Sequence, residues 1–306
     1  MDNSGAVDGG LRVIVTLTPN PAIDRTVSIA ALVRGEVLRA SAPMVEASGK
    51  GVNVTKALLG NGHAAKAVLV ADRQLRELLN YAEVPFEAID GAVRTNVSLL
   101  EPDGTVTKVN EPGPELSEED RRRLLEMTLA AGGDVIAANG SLPPGTPSDF
   151  YAELVDRSSK PVAVDTSGQA LKAVIGARPM LVKPNLDELA ELVGRRPQTL
   201  AEAITAADAV RADGARAVLV SLGADGAVLV DEHGATHGET IVDRPRNTVG
   251  AGDALLAGFL AGGLSEGLAY AAAAVRHLGT HAPPVTAADR AAVRVHERID
   301  VNRRLG

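Results

Sequence analysis

Short apolar runs of strand length alternate with segments of helical period along this chain, and that alternation restricts the possible fold more than any other feature. Val13–Leu17 precedes a helical pattern near Val52–Leu59, and Ala67–Val70 precedes another at Leu75–Tyr81. The runs Val135–Ala138, Val162–Val164, Met180–Val182 and Val218–Val220 each lead into a helical or turn segment. Strands that are apolar on both sides belong inside a sheet covered on both faces, so the pattern predicts an α/β protein with a mainly parallel sheet. Two regions break the rhythm. Thr26–Val45 and Arg94–Val109 read as longer, alternating, half-exposed strand regions without helices of their own. Such strands do not fit the middle of a doubly wound sheet and predict a small β-sheet flap beside the main domain.

A chain of 306 residues has ample length for a large core, in one large domain or two smaller ones. With 45% hydrophobic and 23% charged residues it reads as globular and soluble. Only 2% is aromatic, so Ala, Val and Leu must fill the interior. Few aromatics and a net charge of −8 argue against a nucleic-acid partner, which needs basic grooves and stacking platforms. No apolar run reads as long enough to cross a bilayer, so no membrane partner is expected. Met1–Gly10 is polar, acidic and glycine-rich, lacks the basic and apolar regions of a signal peptide, and is expected to be a flexible tail. Cysteine is absent, which excludes a disulfide scaffold and a thiolate metal site and makes the cytoplasm the default expectation.

Gly250-Ala251-Gly252 reads as a tight turn running into an apolar helix that starts at about Asp253. Glycines let the backbone approach a ligand, and the free N–H groups of a helix start attract anions. Asp253 is odd there, because a carboxylate repels phosphate but can take a proton. As an isolated residue it reads first as a helix cap, since Asp is a favoured cap and stabilises a helix start.

The whole stretch from Asn247 to Gly262 resembles the C-terminal signature of the ribokinase-like (PfkB-type) sugar kinases. In that family the three residues before the Asp form an anion hole for the transferring phosphoryl group, and the Asp deprotonates the sugar hydroxyl. The resemblance implies a ribokinase-like three-layer fold in one domain over residues 11–306. Its lid strands, from about 24–46 and 92–112, would cover the sugar and pair with a second subunit in a homodimer.

Other motifs follow in the family's order. Thr16-Leu-Thr-Pro-Asn-Pro-Ala-Ile-Asp24 is similar to the N-terminal signature of the 1-phosphofructokinase branch, where this Asp binds the sugar. Alone, Asp24 reads as a solvated turn residue or as an acceptor for sugar hydroxyls where the chain leaves the sheet. Ser48-Gly49-Lys50-Gly51-Val-Asn53 opens a helix with a glycine turn and one ammonium, a cradle for anions and hydroxyls, and it lacks Walker A spacing. The family pattern is Gly-Gly-Lys-Gly-x-Asn, so Ser48 replaces a glycine and fits only at negative φ. Arg94 and Asn96 share one face of a strand and resemble the family's phosphate-binding step, although an exposed strand Arg is common. Lys108 and Asn110 share a face in the same way.

Asn139-Gly140-Ser141 resembles the family's sugar-side Ser-Gly-Ser step, or is a plain βα turn. Asn185 and Glu188 make an N-cap pair. In the resembled family the same Asn-x-x-Glu serves Mg²⁺ and phosphate, with Lys183 beside the nucleotide. Ser221, Gly223 and Gly226 form a strand-turn-strand that the family uses for ATP, and that a tight hairpin also explains. Ser117 and Asp120 read as a capping box.

Taken together, the resemblance implies an ATP-dependent, Mg²⁺-assisted kinase acting on a small sugar phosphate, with fructose 1-phosphate converted to fructose 1,6-bisphosphate. Tagatose-6-phosphate kinase and a 6-phosphofructokinase isoenzyme are the alternatives within the class. A catalytically silent sugar-phosphate sensor on the same fold is the alternative outside it.

Overall fold

The computed structural model describes residues 12–242, 249–277 and 283–306. The expected N-terminal tail and Asn247 lie outside the described residues.

The apolar runs form strands as expected. In chain order, β1 (Ile14–Thr18), β2 (Ala22–Ser28), β3 (Met44–Ser48), α1 (Lys50–Gly60), β4 (Ala65–Ala71), α2 (Arg73–Tyr81) and β5 (Phe86–Asp90) come first. Next are β6 (Arg94–Leu100), β7 (Val106–Asn110), α3 (Glu118–Ala130), β8 (Val135–Asn139), α4 (Phe150–Arg157), β9 (Val162–Asp165), α5 (Gly168–Ile175) and β10 (Leu181–Val182). The last part holds α6 (Leu186–Val193), α7 (Leu200–Ala212), β11 (Val218–Ser221), β12 (Ala227–Asp231), β13 (Gly234–Thr240), α8 (Ala251–Val275), α9 (Ala287–Ala291) and β14 (Val293–Val295). Ser117 caps α3 by accepting from the Asp120 N–H, but the expected capping box is only half formed, because the Asp120 carboxylate takes the Ser117 hydroxyl and not its backbone N–H.

Ten strands form one sheet in the order β14-β13-β12-β11-β10-β9-β8-β1-β4-β5. From β5 to β11 all pairs are parallel, and β12, β13 and β14 add an antiparallel edge. Strand alternation sends successive side chains to opposite faces. Val15, Leu17, Val162, Val164, Val218 and Val220 pack against Leu124, Leu154, Leu171, Leu189 and Val210 of α3 to α7. Ile14, Ala137, Ala163 and Leu219 meet α1 and α8 on the other face. This is the expected three-layer α/β arrangement.

The second sheet, β3-β2-β6-β7, is the expected flap. It corrects one boundary: Thr26–Val45 is strand only at its ends, and residues 29–43 are irregular. Gly35 takes φ 86°, and Pro43 has no N–H to offer a ladder, so a continuous strand cannot run through.

Helix α8 corrects a second expectation. At 25 residues it is long and apolar enough to cross a membrane by length and composition. It is not a straight rod, however. Gly262 and Gly263 leave helical geometry, and a Cβ on Gly267 would lie 2.8 Å from the Leu255 carbonyl oxygen. Residues twelve apart in an unbroken helix would be separated by about 18 Å. The helix therefore folds back on itself, with both halves packed in the core against α1 and the sheet.

Candidate active site

The sheet's parallel strands end their C-termini on one edge, where open α/β sheets bind ligands. Asp165, the last residue of β9, has a fully buried side chain there and bridges two cations. Lys50, the first residue of α1, places Nζ 2.7 Å from its Oδ1, and Lys183, just after β10, places Nζ 3.0 Å from its Oδ2. Burial alone would raise the Asp165 pKa, but Lys183 and Lys50 more than reverse this and hold it below the usual carboxylate range. Burial likewise pulls the Lys50 ammonium down, yet Asp165, with Asp253 and Glu188, pushes it up overall. Asp165 was missed by the motif reading. Its only local signal is an Asp ending an apolar parallel strand.

Asp253 lies beside this triad. The cap reading fails, because α8 starts two residues earlier at Ala251 and its N-cap is Gly250, in left-handed geometry at φ 77°. Asp253 instead accepts a 2.8 Å hydrogen bond at Oδ2 from the amide of Asn53 on α1. Burial, helped by the nearby Asp165 charge, raises its pKa to about 6, against the pull of Lys50, Asn53 and Lys183. Gly252 closes the geometry, since a Cβ there would lie 3.4 Å from Lys183 Nζ. Gly250, Ala251, Gly252, Asp253, Lys50, Asn53 and Lys183 thus come together.

The flap supplies the opposite wall. Asp24 is in β2 of the flap rather than where the chain leaves the main sheet, and accepts a 3.0 Å hydrogen bond from the Asn96 amide of β6. The register sets Asp24 opposite Asn96, and Asn96 opposite Asn110 of β7. Lys108 shares that face, and the carboxylates of Asp24 and Asp253 both act on it, though burial keeps its pKa lowered. Arg94 donates from Nη1 to the Glu111 carbonyl at 3.1 Å, and burial lowers its pKa.

Gly49 alone separates β3 from α1, at φ 121°. Ser48 ends β3 with no positive φ, so the replacement of glycine there is tolerated. Gly51 faces Thr18 so closely that a side chain would collide with its hydroxyl. Ser141 is exposed and takes a 3.3 Å hydrogen bond from Asn20. The preceding Gly140 is fixed from below by the Tyr151 hydroxyl and Thr166 Oγ1, 3.0 and 2.9 Å from its carbonyl. Buried polar atoms with no partner in the protein gather around this space: Thr18 Oγ1, Asn20 Oδ1, Asn53 Oδ1, Asn96 Oδ1, Asn139 Oδ1 and Arg94 Nε. Buried polar groups are costly unless hydrogen-bonded, so this set suits a hydroxyl-rich ligand.

Next to Lys183, Asn185 and Glu188 form the reciprocal capping box of α6. Glu188 Oε2 is engaged with the Asn185 N–H at 2.8 Å. No cluster of three or more acidic or histidine ligands occurs among the described residues. That donor set fits a hard cation held mainly by phosphate and water oxygens, with Glu188 at its margin. Ser221 continues the edge, bonded through its N–H to the Pro184 carbonyl at 3.1 Å. Beyond it, Gly223 (φ 62°) and Gly226 (φ 85°) shape the turn between β11 and β12.

A sheet edge carrying a buried carboxylate, paired lysines and glycine turns is chemistry suited to moving a phosphoryl group. The chain belongs to the pfkB family of carbohydrate kinases, whose model matches residues 13–284, and such enzymes transfer phosphate to a sugar hydroxyl. It is 36% identical over 293 residues to the 1-phosphofructokinase of Rhodobacter capsulatus, covering 89% of this chain and 93% of that relative. Among solved structures it is similar to phosphofructokinase-2 from Escherichia coli in complex with potassium, with TM-score 0.84, 29% identity, and coverage of 92% of this chain and 97% of that one. The ribokinase of Thermotoga maritima shares the fold, with TM-score 0.71 at 21% identity over 92% of this chain and 98% of that one.

Proposed function

We propose that the chain transfers the γ-phosphoryl group of ATP to the 6-hydroxyl of fructose 1-phosphate, giving fructose 1,6-bisphosphate and ADP. The observation that carries this reading is Asp253, a buried carboxylate with its pKa raised to about 6 at a glycine turn facing two lysines. Asp253 takes the hydroxyl proton as that oxygen attacks phosphorus in line and ADP departs. The amides of Gly250, Ala251 and Gly252 hold the developing charge, and Lys50 and Lys183 neutralise phosphate oxygens. Mg²⁺ with the nucleotide would supply further charge neutralisation, with Asn185 and Glu188 beside it. Asp24, Asn53, Gly49, Gly51 and Ser141 bind the sugar, while Arg94 and Asn96 hold the phosphate already present. Ser221, Gly223 and Gly226 line the nucleotide.

Identity of 36% to a 1-phosphofructokinase supports the acceptor. With MgATP, kcat/KM is expected to be higher for fructose 1-phosphate than for fructose 6-phosphate, tagatose 6-phosphate or free fructose, in a coupled ADP-release assay. Preference for fructose 6-phosphate would move the reading to a 6-phosphofructokinase. Preference for free fructose would overturn the substrate class.

The flap's other face supports a homodimer through the lid. Val97 and Leu99 of β6 are half-buried there, and Val109 of β7 is 58% exposed. Although Arg25 lies beside Val97 and Thr107 beside Leu99, a face with this many exposed apolar side chains suits association. Light scattering at micromolar concentration is expected to give the dimer mass. A fully active monomer would exclude this assembly.

A further inference from the structure

The family model ends at residue 284, yet the segment after it reaches back toward the nucleotide side of the site. β14 pairs with β13, and the His296 N–H donates to the His237 carbonyl at 3.0 Å. The chain then crosses the start of α7. There the carbonyls of Arg303 and Val301 accept the N–H groups of Leu200 and Ala201, both at 2.9 Å, and so satisfy donors that a helix start leaves open. From this anchored segment the Arg303 guanidinium reaches two carboxylates. Nη1 lies 2.6 Å from Glu239 Oε2, and Nη2 and Nε lie 3.0 and 3.2 Å from Asp225 Oδ1. The Gly306 N–H takes the other Asp225 oxygen at 3.0 Å.

Asp225 belongs to the Gly223–Gly226 turn. That turn is backed by β13, because a side chain on Gly226 would collide with the Gly238 carbonyl, and His237 Nε2 sits 2.9 Å from the Asp225 carbonyl oxygen. A carboxylate in a turn that lines polyphosphate would repel it and loosen the turn unless neutralised from behind. Arg303 and its two carboxylate partners are half-buried, so their pairing is screened less than that of a fully exposed ion pair.

We propose that Arg303 is a positioning residue for the nucleotide: held by the segment after α9, it neutralises and fixes Asp225 so that the Gly223–Gly226 turn presents its amides to ATP. The inference rests on the reading of that turn as the nucleotide's. Its test is ATP and sugar-phosphate kinetics, together with ADP binding by calorimetry, for Arg303→Met, Arg303→Gln and Gly223→Ala beside wild type. For Arg303→Met, KM for ATP and Kd for ADP are expected to rise about fivefold or more, within the usual range of coupling through a neighbouring residue. KM for the sugar phosphate and kcat should change less than about twofold, the pattern left when binding alone is lost. Arg303→Gln repeats the comparison with donors but no charge, should the Met variant not fold. Gly223→Ala, where a side chain would meet no other atom and only the left-handed backbone of the turn is strained, should weaken ATP and ADP in the same way. If it does so and the Arg303 variants do not, the turn holds nucleotide but the brace is wrong. If none of the variants moves ADP affinity, both the turn's reading and the brace fall. A loss spread equally over both substrates and kcat would make Arg303 merely structural and overturn the proposal.

Discussion

Asp253→Asn is expected to lower kcat by on the order of 10²- to 10⁴-fold at pH 8, the range for loss of a general base. It should also raise the thermal midpoint. The substitution keeps the shape and leaves a side-chain oxygen for the Asn53 amide. It removes a charge that is desolvated and faces the Asp165 carboxylate. The sign follows from linkage: a carboxylate whose folded pKa is raised to about 6 favours the fold below its unfolded value, and that contribution is lost as pH rises through about 6. At pH 8 the wild type carries the full cost of the ionised group, and the variant carries none. Below pH 4 the difference in midpoint should vanish. In the wild type, kcat/KM should decline as pH falls through about 6, because the base becomes protonated. Scanning calorimetry and initial rates between pH 4 and 9 provide both readings. A fully active Asn variant would remove the base assignment. A midpoint that drops at pH 8 would show that the carboxylate makes contacts stronger than its desolvation.

Asp165→Asn should be the more damaging change to the fold. The bridged pair of Asp165 and Lys183 is almost wholly buried, with Lys50 closing the other side. Removing one member of a buried ion pair leaves an uncompensated charge and costs about 3–5 kcal/mol. A domain of this size should then lose roughly 10 °C of thermal midpoint. Because Lys50 and Lys183 both lose their anchor, kcat should fall as well, through misplacement of the two ammonium groups. Urea unfolding gives the first quantity and steady-state rates the second. A variant as stable and as active as wild type would show that the lysines keep their positions without Asp165.

The contrast between these two aspartates shows what a sequence discloses. Asp253 stood out because glycines surround it, and the turn, the helix and the carboxylate all lie within a few residues. The cap that its residue type suggests in isolation is taken instead by Gly250, in left-handed geometry at φ 77°. Asp165 follows a plain apolar run, and its partners lie 115 and 18 residues away. The sheet order sets β9 beside β10 and so brings Lys183 to it, while Lys50 arrives from the start of α1. The main sheet was legible because its strands are apolar on both faces. The flap was legible in kind but not in extent, since half-exposed strands and irregular chain have similar composition. Arg303 gave no signal at all, as its contacts with Asp225 and Glu239 span 78 and 64 residues.

The junction between flap and core has a mechanical consequence. β3 ends at Ser48, α1 begins at Lys50, and Gly49 is the sole link, while Lys56 further along the helix grips the Ala47 carbonyl of the strand. The flap is thus a lever welded to the helix that carries Lys50 and Asn53. Any tilt of the lever must either be absorbed by rotation at Gly49 or be delivered to the ammonium on Asp165 and the amide on Asp253. A ligand settling under the flap would then be felt directly at the Asp253 carboxylate, 200 residues away from that amide in sequence.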